Sequence, residues 1–511
     1  MRSVHGMSLR LGLVLGLAAP LAFGQLGIGP ITTGVAHAHK KVGHPASTVA
    51  SGFKLQQIVT GTSPLENPSG PITKFGVLTD GTLTEADENL YVVLDSNPGG
   101  PVPGFDYGRH FLFQGHENQG NLAYLTRINL DVKNKAHRIT LLTPVGGGGV
   151  TSLNAIDGST YNPFTKTLLF TQEDGGGVIE INQTWPPNPR TLDGTLGVKG
   201  FEGIHPDDQG NLILAEDIGG KSVNVDPNDP NSPKAARQPN SFVYRLVPYD
   251  PTDLSKGGKL QALQVMIDGS AVVFHADDPV GDVFSVNQLR LHTPGTSYPV
   301  QWVTVHDTAV DGTAGFDANA LAKAAGATPF KRPENLQYLP GSGYQTFYFC
   351  PTGDTNSDSG NVPALAQRGA WGSIFRVDLN TDRNSGQLSI FVLGTAEQSS
   401  FDNLSFADDH TLIAAEDRGD GLHSQLNTLD SIWSYTTDGS EPPLRFLALG
   451  RDAIAAVKGD NEPTGLHVSN GSTDPAEQPG TIQNLEGARG FFTRQHGQNV
   501  VYEILKTGET K

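Results

Sequence analysis

Phe201-Glu202-Gly203-Ile204 is followed by Leu214-Ala215-Glu216-Asp217, and Glu202 and Glu216 stand 14 residues apart. Asp208-Gln209-Gly210 between them is a turn sequence. The stretch 201–217 therefore reads as strand, turn, strand, with an acid opening the first strand and an acidic pair closing the second. The same figure returns as Phe401-Asp402-Asn403-Leu404 with Ala414-Ala415-Glu416-Asp417, where Asp402 and Glu416 are again 14 apart. Partial copies stand at Asn154-Ala155-Ile156-Asp157 with Phe170-Thr171-Gln172-Glu173-Asp174, at Phe113-Gln114-Gly115-His116-Glu117, at Pro333-Glu334-Asn335-Leu336 and at Asn461-Glu462-Pro463-Thr464-Gly465-Leu466. Counting copies gives about six units, and six small sheets repeated around an axis make a six-bladed β-propeller.

Composition agrees with an all-β body. The 511 residues include 62 Gly and 34 Pro, and only 17% are charged. That balance favours short strands joined by turns over long helices. Apolar or β-branched runs such as Leu90–Leu94, Thr167–Thr171, Phe347–Cys350 and Leu412–Ala415 alternate with turn clusters such as Asn97-Pro98-Gly99-Gly100 and Gly146 to Gly149. One propeller domain is expected over 76–511, with an insertion around 221–331 that includes a Pro-rich loop and a short helix near Asp317 to Ala325. Residues 39–75 read as a flexible lead-in or a first wrapping strand.

The formal net charge of −18 excludes nucleic acid and anionic membranes as natural partners. Residues 1–38 read as an export signal: a basic start at Arg2, His5 and Arg10, an apolar core from Leu9 to Phe23, and Ala36-His37-Ala38 as a cleavage sequence. A cut after Gly24 is the alternative. A secreted or periplasmic monomer is expected. No twin-arginine pair is present. Cys350 is the only cysteine, so no internal disulfide forms, and its apolar strand setting reads as a buried structural thiol.

A propeller aims equivalent positions of every blade at one channel, so the repeated acids converge there. Clustered carboxylates repel unless cations neutralise them, and few basic residues adjoin these. Glu117, Glu173, Glu202, Glu216, Glu334, Asp402 and Glu416 are the metal-ligand candidates. Solvated turn acids are the competing reading. In each of the pairs 173–174, 216–217 and 416–417 strand alternation lets only one member face the channel, and the Glu is taken as inward. All-oxygen donors with Asn neighbours suit Ca²⁺. Beside the acids stands Arg332-Pro333-Glu334. Pro333 biases Arg332 toward an extended conformation. Its guanidinium would hold a phosphate oxygen, or would pair with Glu334 or a neighbouring blade.

Ala325-Gly326-Ala327-Thr328 with Arg332-Pro333-Glu334, Gly115-His116-Glu117-Asn118 and Thr171-Gln172-Glu173-Asp174 together resemble the PhoX family of secreted bacterial alkaline phosphatases. The resemblance covers roughly residues 75–505. It implies a six-bladed propeller-like body, a channel site with calcium and iron, and hydrolysis of small phosphate esters. Glu residues would ligate metal and Arg332 would lie near phosphate. One departure stands out: the family's second-blade strand carries Cys-Glu-Glu with the cysteine on iron, and this chain has Gln172-Glu173-Asp174 there. Iron is therefore in question, and two other functions stay open: a lactonase- or esterase-type calcium propeller, and a non-catalytic calcium-binding one.

Overall fold

The computed structural model describes residues 27–41, 46–118, 123–143, 153–451, 461–477, 485 and 487–507. The apolar core of the expected export signal and the turn at 146–149 lie outside them. Almost all regular structure is antiparallel sheet in a propeller-like arrangement.

One four-stranded meander runs Glu85–Val93, His110–Glu117, Tyr124–Asn129, Ile139–Thr143, and a second runs Ile156–Asn162, Thr167–Gln172, Val178–Asn182, Arg190–Thr191. Phe401–Asp408, Thr411–Glu416, Ser431–Thr436 and Leu444–Ala448 form a third, extended by Thr48–Val49. Glu462–Ser469, Arg489–Gln495 and Val500–Lys506 form a fourth, which takes its outer strand, Phe53–Val59, from the opposite end of the chain. Between the second and third lies a ten-stranded sheet. It contains the meander Phe201–Pro206, Leu212–Glu216, Val243–Pro248, Gly258–Ile267 and the meander Pro333–Tyr338, Thr346–Pro351, Ser373–Leu379, Ser385–Leu393. Ser297–Asp307 pairs with the outer strand of each and joins them.

The leading strands settle the geometry. Glu85–Val93 packs on Ile156–Asn162, that on Phe201–Pro206, that on Pro333–Tyr338, that on Phe401–Asp408 and that on Glu462–Ser469, which returns to Glu85–Val93. They form a closed ring. The sheets pack on both faces, which is why their second strands are apolar throughout. Leu212 and Leu214 enter one core with Phe201, Tyr244 and Leu169, whereas Ile213 and Ala215 enter the next with Val243, Leu336 and Phe349. Phe170 and Leu168 likewise face a different core from Leu169. Each core is thus shared by two neighbouring sheets.

The region 221–331 supplies the strands that join the two meanders, plus a hairpin of Ser222–Val223 with Ala236–Arg237 and four short helices. The helix expected at 317–325 forms as Ala318–Ala324, with Asp317 accepting from the Ala320 amide at 2.8 Å as its cap. In the stretch read as a lead-in, Phe53–Val59 completes a sheet and Pro64–Ser69 pairs with Ile72–Lys74. Ile28 and Ile31 are buried in the core under Phe401–Asp408 and its neighbours.

Candidate metal centre

Every leading strand slips register against its partner, between Ala86 and Asn89, Phe201 and Ile204, Pro333 and Asn335, Phe401 and Leu404, Thr464 and His467, and opposite Phe170 and Gln172, and Phe401–Asp408 slips a second time between Phe406 and Asp408. Such bulges re-aim a side chain. The residues at five of them are Asp87-Glu88, Asp157, Glu202, Glu334 and Asp402. Two residues before four of these acids the backbone is left-handed: Ala155 (φ 28°), Gly200 (φ 72°), Arg332 (φ 58°) and Ser400 (φ 55°). Only Gly200 adopts this region without a steric cost. The Arg332 backbone is therefore not extended, as the following Pro333 had suggested.

These left-handed residues fix the second ring of positions. The carbonyls of Ala155, Gly200, Arg332 and Ser400 accept from the amides of Glu173, Asp217, Thr352 and Asp417. Those four residues are structurally equivalent, each one residue beyond its strand pair. Phe201 pairs with Glu216 and Phe401 with Glu416, whereas Ile156 pairs with Gln172. Glu216 and Glu416 therefore correspond to Gln172, not to Glu173.

Consequently, of the seven acids expected to converge, Glu216 and Glu416 are placed elsewhere. Glu216 accepts from the Phe242 amide (3.0 Å), the Tyr244 hydroxyl (3.0 Å) and Asn319 (2.9 Å). Glu416 accepts from the amides of Ser399 (2.9 Å) and Ser431 (3.0 Å) and from Arg418 (2.7 Å). Both carboxylates tie a strand end to its neighbour. Their partners Asp217 and Asp417 take the inward position.

The other five candidates are brought together with acids the sequence reading did not select. Carboxylate oxygens of Glu173, Glu202, Asp217 and Glu334 lie within 4.8 Å of one another, and so do those of Asp87, Glu117 and Asp157. Asp402 stands in electrostatic reach of Asp87, Glu88, Asp417 and Glu173, and Glu462 in reach of Asp417, Asp402 and Asp87. Asp87 and Glu88 lay hidden in Ala86-Asp87-Glu88-Asn89, which has the form of the other strand openings. His116 points away from Glu117, bonding Thr126 at 3.0 Å.

Burial and mutual repulsion shift these groups upward. Burial raises Asp87 to about 6 and Glu88 to about 8, with the Asp87 charge adding to the latter. Glu117, Asp157, Glu202, Glu334 and Asp402 are pushed well above the carboxylate range, by burial first and then by neighbouring acids. Without cations the ring would hold protons. Arg332 is the basic group set among them: its Nε and Nη2 lie 2.8 Å from Asp217 Oδ2, and Nη2 is 3.3 Å from Glu334 Oε1. Burial alone would depress the Arg332 pKa, and the charges of Asp217 and Glu334 outweigh it and raise it.

The family model for alkaline phosphatase PhoX matches residues 222–444.

The chain resembles the PhoX alkaline phosphatases.

The structure of Pseudomonas fluorescens PhoX in complex with vanadate, a transition-state analogue, superposes with a TM-score of 0.55 at 12% identity, covering 94% of this chain and 98% of that one. A calcium structure of a Trichoderma reesei enzyme of carbohydrate-active family AA12 gives a TM-score of 0.32 at 12% identity, covering 91% and 98%. The WD40 domain of Toxoplasma gondii coronin gives 0.37 at 10%, covering 92% and 91%. No curated protein matches. The family-model match supports a phosphatase-type hydrolase, and the structural likeness supports the fold. No helix among the described residues is long and apolar enough to cross a membrane.

The donor set bears on which metal the site suits. It is all oxygen, and Glu202 Oε1 is buried without a hydrogen-bond partner, as a ligand atom awaiting a cation would be. This fits Ca²⁺. Iron held by a thiolate does not fit: Gln172 occupies the cysteine position and accepts from the Asn154 amide at 3.0 Å. Cys350 is buried in another meander with its Sγ 2.7 Å from the Asp402 carbonyl, and burial raises its pKa.

Proposed function

We propose that this protein is an exported phosphomonoesterase of the PhoX type whose channel acids bind Ca²⁺. The carrying observation is the ring of carboxylates with one guanidinium fixed among them by Asp217 and Glu334. Carboxylates alone would repel a phosphate ester. Cations bound by them together with Arg332 reverse the sign of the site. The ten-stranded sheet is taken as two blades bridged by Ser297–Asp307, which makes six with the other four sheets.

Glu173, Glu202, Asp217 and Glu334 would hold one cation, and Asp87, Glu117 and Asp157 another, with Asp402, Asp417 and Glu462 close by. Ca²⁺ there supplies charge neutralisation and polarisation of the phosphoryl oxygens. The chain supplies position. Asp217 and Glu334 take up Nε and Nη2 of Arg332, which orients Nη1 and fixes the side chain before substrate arrives. The closed ring of leading strands limits water around the acids and strengthens every electrostatic contact inside.

The test combines metal analysis of the purified protein by mass spectrometry with phosphatase assays on the same sample. Calcium present with monoester turnover that chelation abolishes is the expected result. Arg332→Ala should abolish turnover while metal content holds. Calcium without turnover of any phosphate ester would overturn the phosphatase reading in favour of a calcium-binding propeller.

A further inference from the structure

Arg332 has only part of its guanidinium to give. Its Nε and Nη2 are committed to Asp217 and Glu334, which leaves Nη1. A phosphate monoester is a dianion near neutral pH and needs more than one such edge. A second guanidinium stands beside the same segment. Arg237 closes the hairpin Ser222–Val223 with Ala236–Arg237, pairing with Ser222. Its backbone amide donates to Asp354 Oδ1 at 3.1 Å, and the same oxygen accepts from Lys331 at 2.8 Å. The buried Lys331–Asp354 pair thus pins the Arg237 backbone to the residue preceding Arg332. The side chain reaches Gly219, two residues beyond Asp217: a Cβ on Gly219 would sit 3.1 Å from Arg237 Nη1, so the missing side chain there leaves its path open.

Arg237 has no hydrogen bond or ion pair from its guanidinium among the described residues, although it is half-buried. Most half-buried arginines among the described residues are matched, as Arg489 is by Glu503 at 2.8 Å and Arg376 by Asp378 at 2.8 Å. Burial and then the charge of Arg332 lower its pKa, while Asp217, Asp354 and Glu334 raise it. These are the neighbours of the proposed substrate position. A guanidinium remains protonated in such a setting, so Arg237 brings an unspent positive charge with a planar fork of N–H donors.

We propose that Arg237 is a substrate-binding residue, which together with Nη1 of Arg332 clasps the non-bridging oxygens of a phosphate monoester and sets the preference for the dianionic monoester over the monoanionic diester. This rests on the phosphatase reading above. Arg332 is the anchored half of the clasp and Arg237 the half supplied by the inserted hairpin. The contribution of Arg237 scales with substrate charge, because a diester has one negative oxygen fewer to share between the two forks.

The experiment uses the full protein as purified, with its own metal. Binding of inorganic phosphate is measured by titration calorimetry, and steady-state constants are measured with p-nitrophenyl phosphate and bis(p-nitrophenyl) phosphate. Arg237→Ala should weaken phosphate binding and raise the monoester KM by about tenfold or more. Its diester KM should change far less, with metal content and melting temperature as in the wild type. Arg237→Lys should restore part of the phosphate affinity, since it returns the charge without the fork. If Arg237→Ala disturbs folding, Arg237→Gln provides the same comparison with bulk retained. A wild type that binds phosphate and variants that bind it equally well would overturn the role of Arg237 and leave the phosphatase reading intact. A wild type that binds no phosphate and turns over no monoester would overturn both.

Discussion

A single-residue offset separates a structural carboxylate from a channel one in this molecule. Glu216 sits at the end of its strand and receives three hydrogen bonds, whereas Asp217, next in the chain, reaches Arg332. The two should behave differently. Asp217→Asn should weaken calcium binding by about tenfold or more, read by titration with chelator competition, whereas Glu216→Gln should leave it unchanged. Glu216 should appear instead in the pH dependence of folding. Burial raises its pKa to about 8 from an ordinary 4.5. The folded state then holds a proton that the unfolded state has released, so stability is fullest below about 4.5 and falls as pH rises toward 8. Glu216→Gln cannot ionise. It should reduce the loss between pH 5 and pH 8 by on the order of 3 kcal/mol in denaturant melts. An unchanged slope would show that Glu216 stays ionised when folded.

At the scale of elements, the bulged leading strand is the repeated device. It brings neighbouring strands close enough to leave no room for side chains at some points. A Cβ on Gly158 would lie 2.3 Å from the Glu202 carbonyl oxygen, and one on Gly203 would lie 2.9 Å from Asn335 Cα. Backbone cannot yield as a flexible side chain does. Gly158→Ala should therefore cost about 2 kcal/mol and lower the melting temperature, since it forces two leading strands apart. It should also weaken metal binding, because Asp157 and Glu202 flank the contact. A melting temperature equal to wild type would refute the close approach. The N-terminal segment carries a second prediction. Ile28 and Ile31 are buried in the core beneath Phe401–Asp408, so a leader cut after Ala38 would strip that core. On the export reading proposed above, the mature mass should correspond to a cut near Gly24, and a mass beginning at His39 would contradict it.

The whole molecule depends on charge balance at its axis. Its leading strands close into a ring by contact of the first with the last, and they bring acids from widely separated parts of the chain together. Removing cations should destabilise the body, and the direction with pH follows from the raised carboxylates. Asp87, at about 6, and Glu88, at about 8, hold protons in the cation-free fold that the unfolded chain has already lost. Stability of the chelated protein should therefore fall as pH rises from about 4 to about 8. Ca²⁺ bound as proposed would replace those protons, so the loaded protein should show a shallower decline. Scanning calorimetry at pH 5.5 and pH 8, with and without chelator, checks this. A gap between loaded and chelated proteins that does not widen at pH 8 would contradict the convergence of ionised acids.

The all-β class and the convergence of Glu117, Glu173, Glu202 and Glu334 were readable from the chain because turn residues and acids recur at regular places. Local chemistry writes such features residue by residue. Three things were not readable. Asp87 and Glu88 stand in the same kind of strand opening as the others, but their small neighbour Ala86 hides the apolar figure. Arg332 takes a left-handed backbone that only the carbonyl bond to the Thr352 amide explains. The inward member of each acidic pair depends on register, and one residue of slip turns a side chain to the opposite face. By itself the sequence determined where strands and acids fall along the chain. Only the tertiary structure decided which acids meet, because pairing register and the closed ring depend on contacts between residues far apart in the chain.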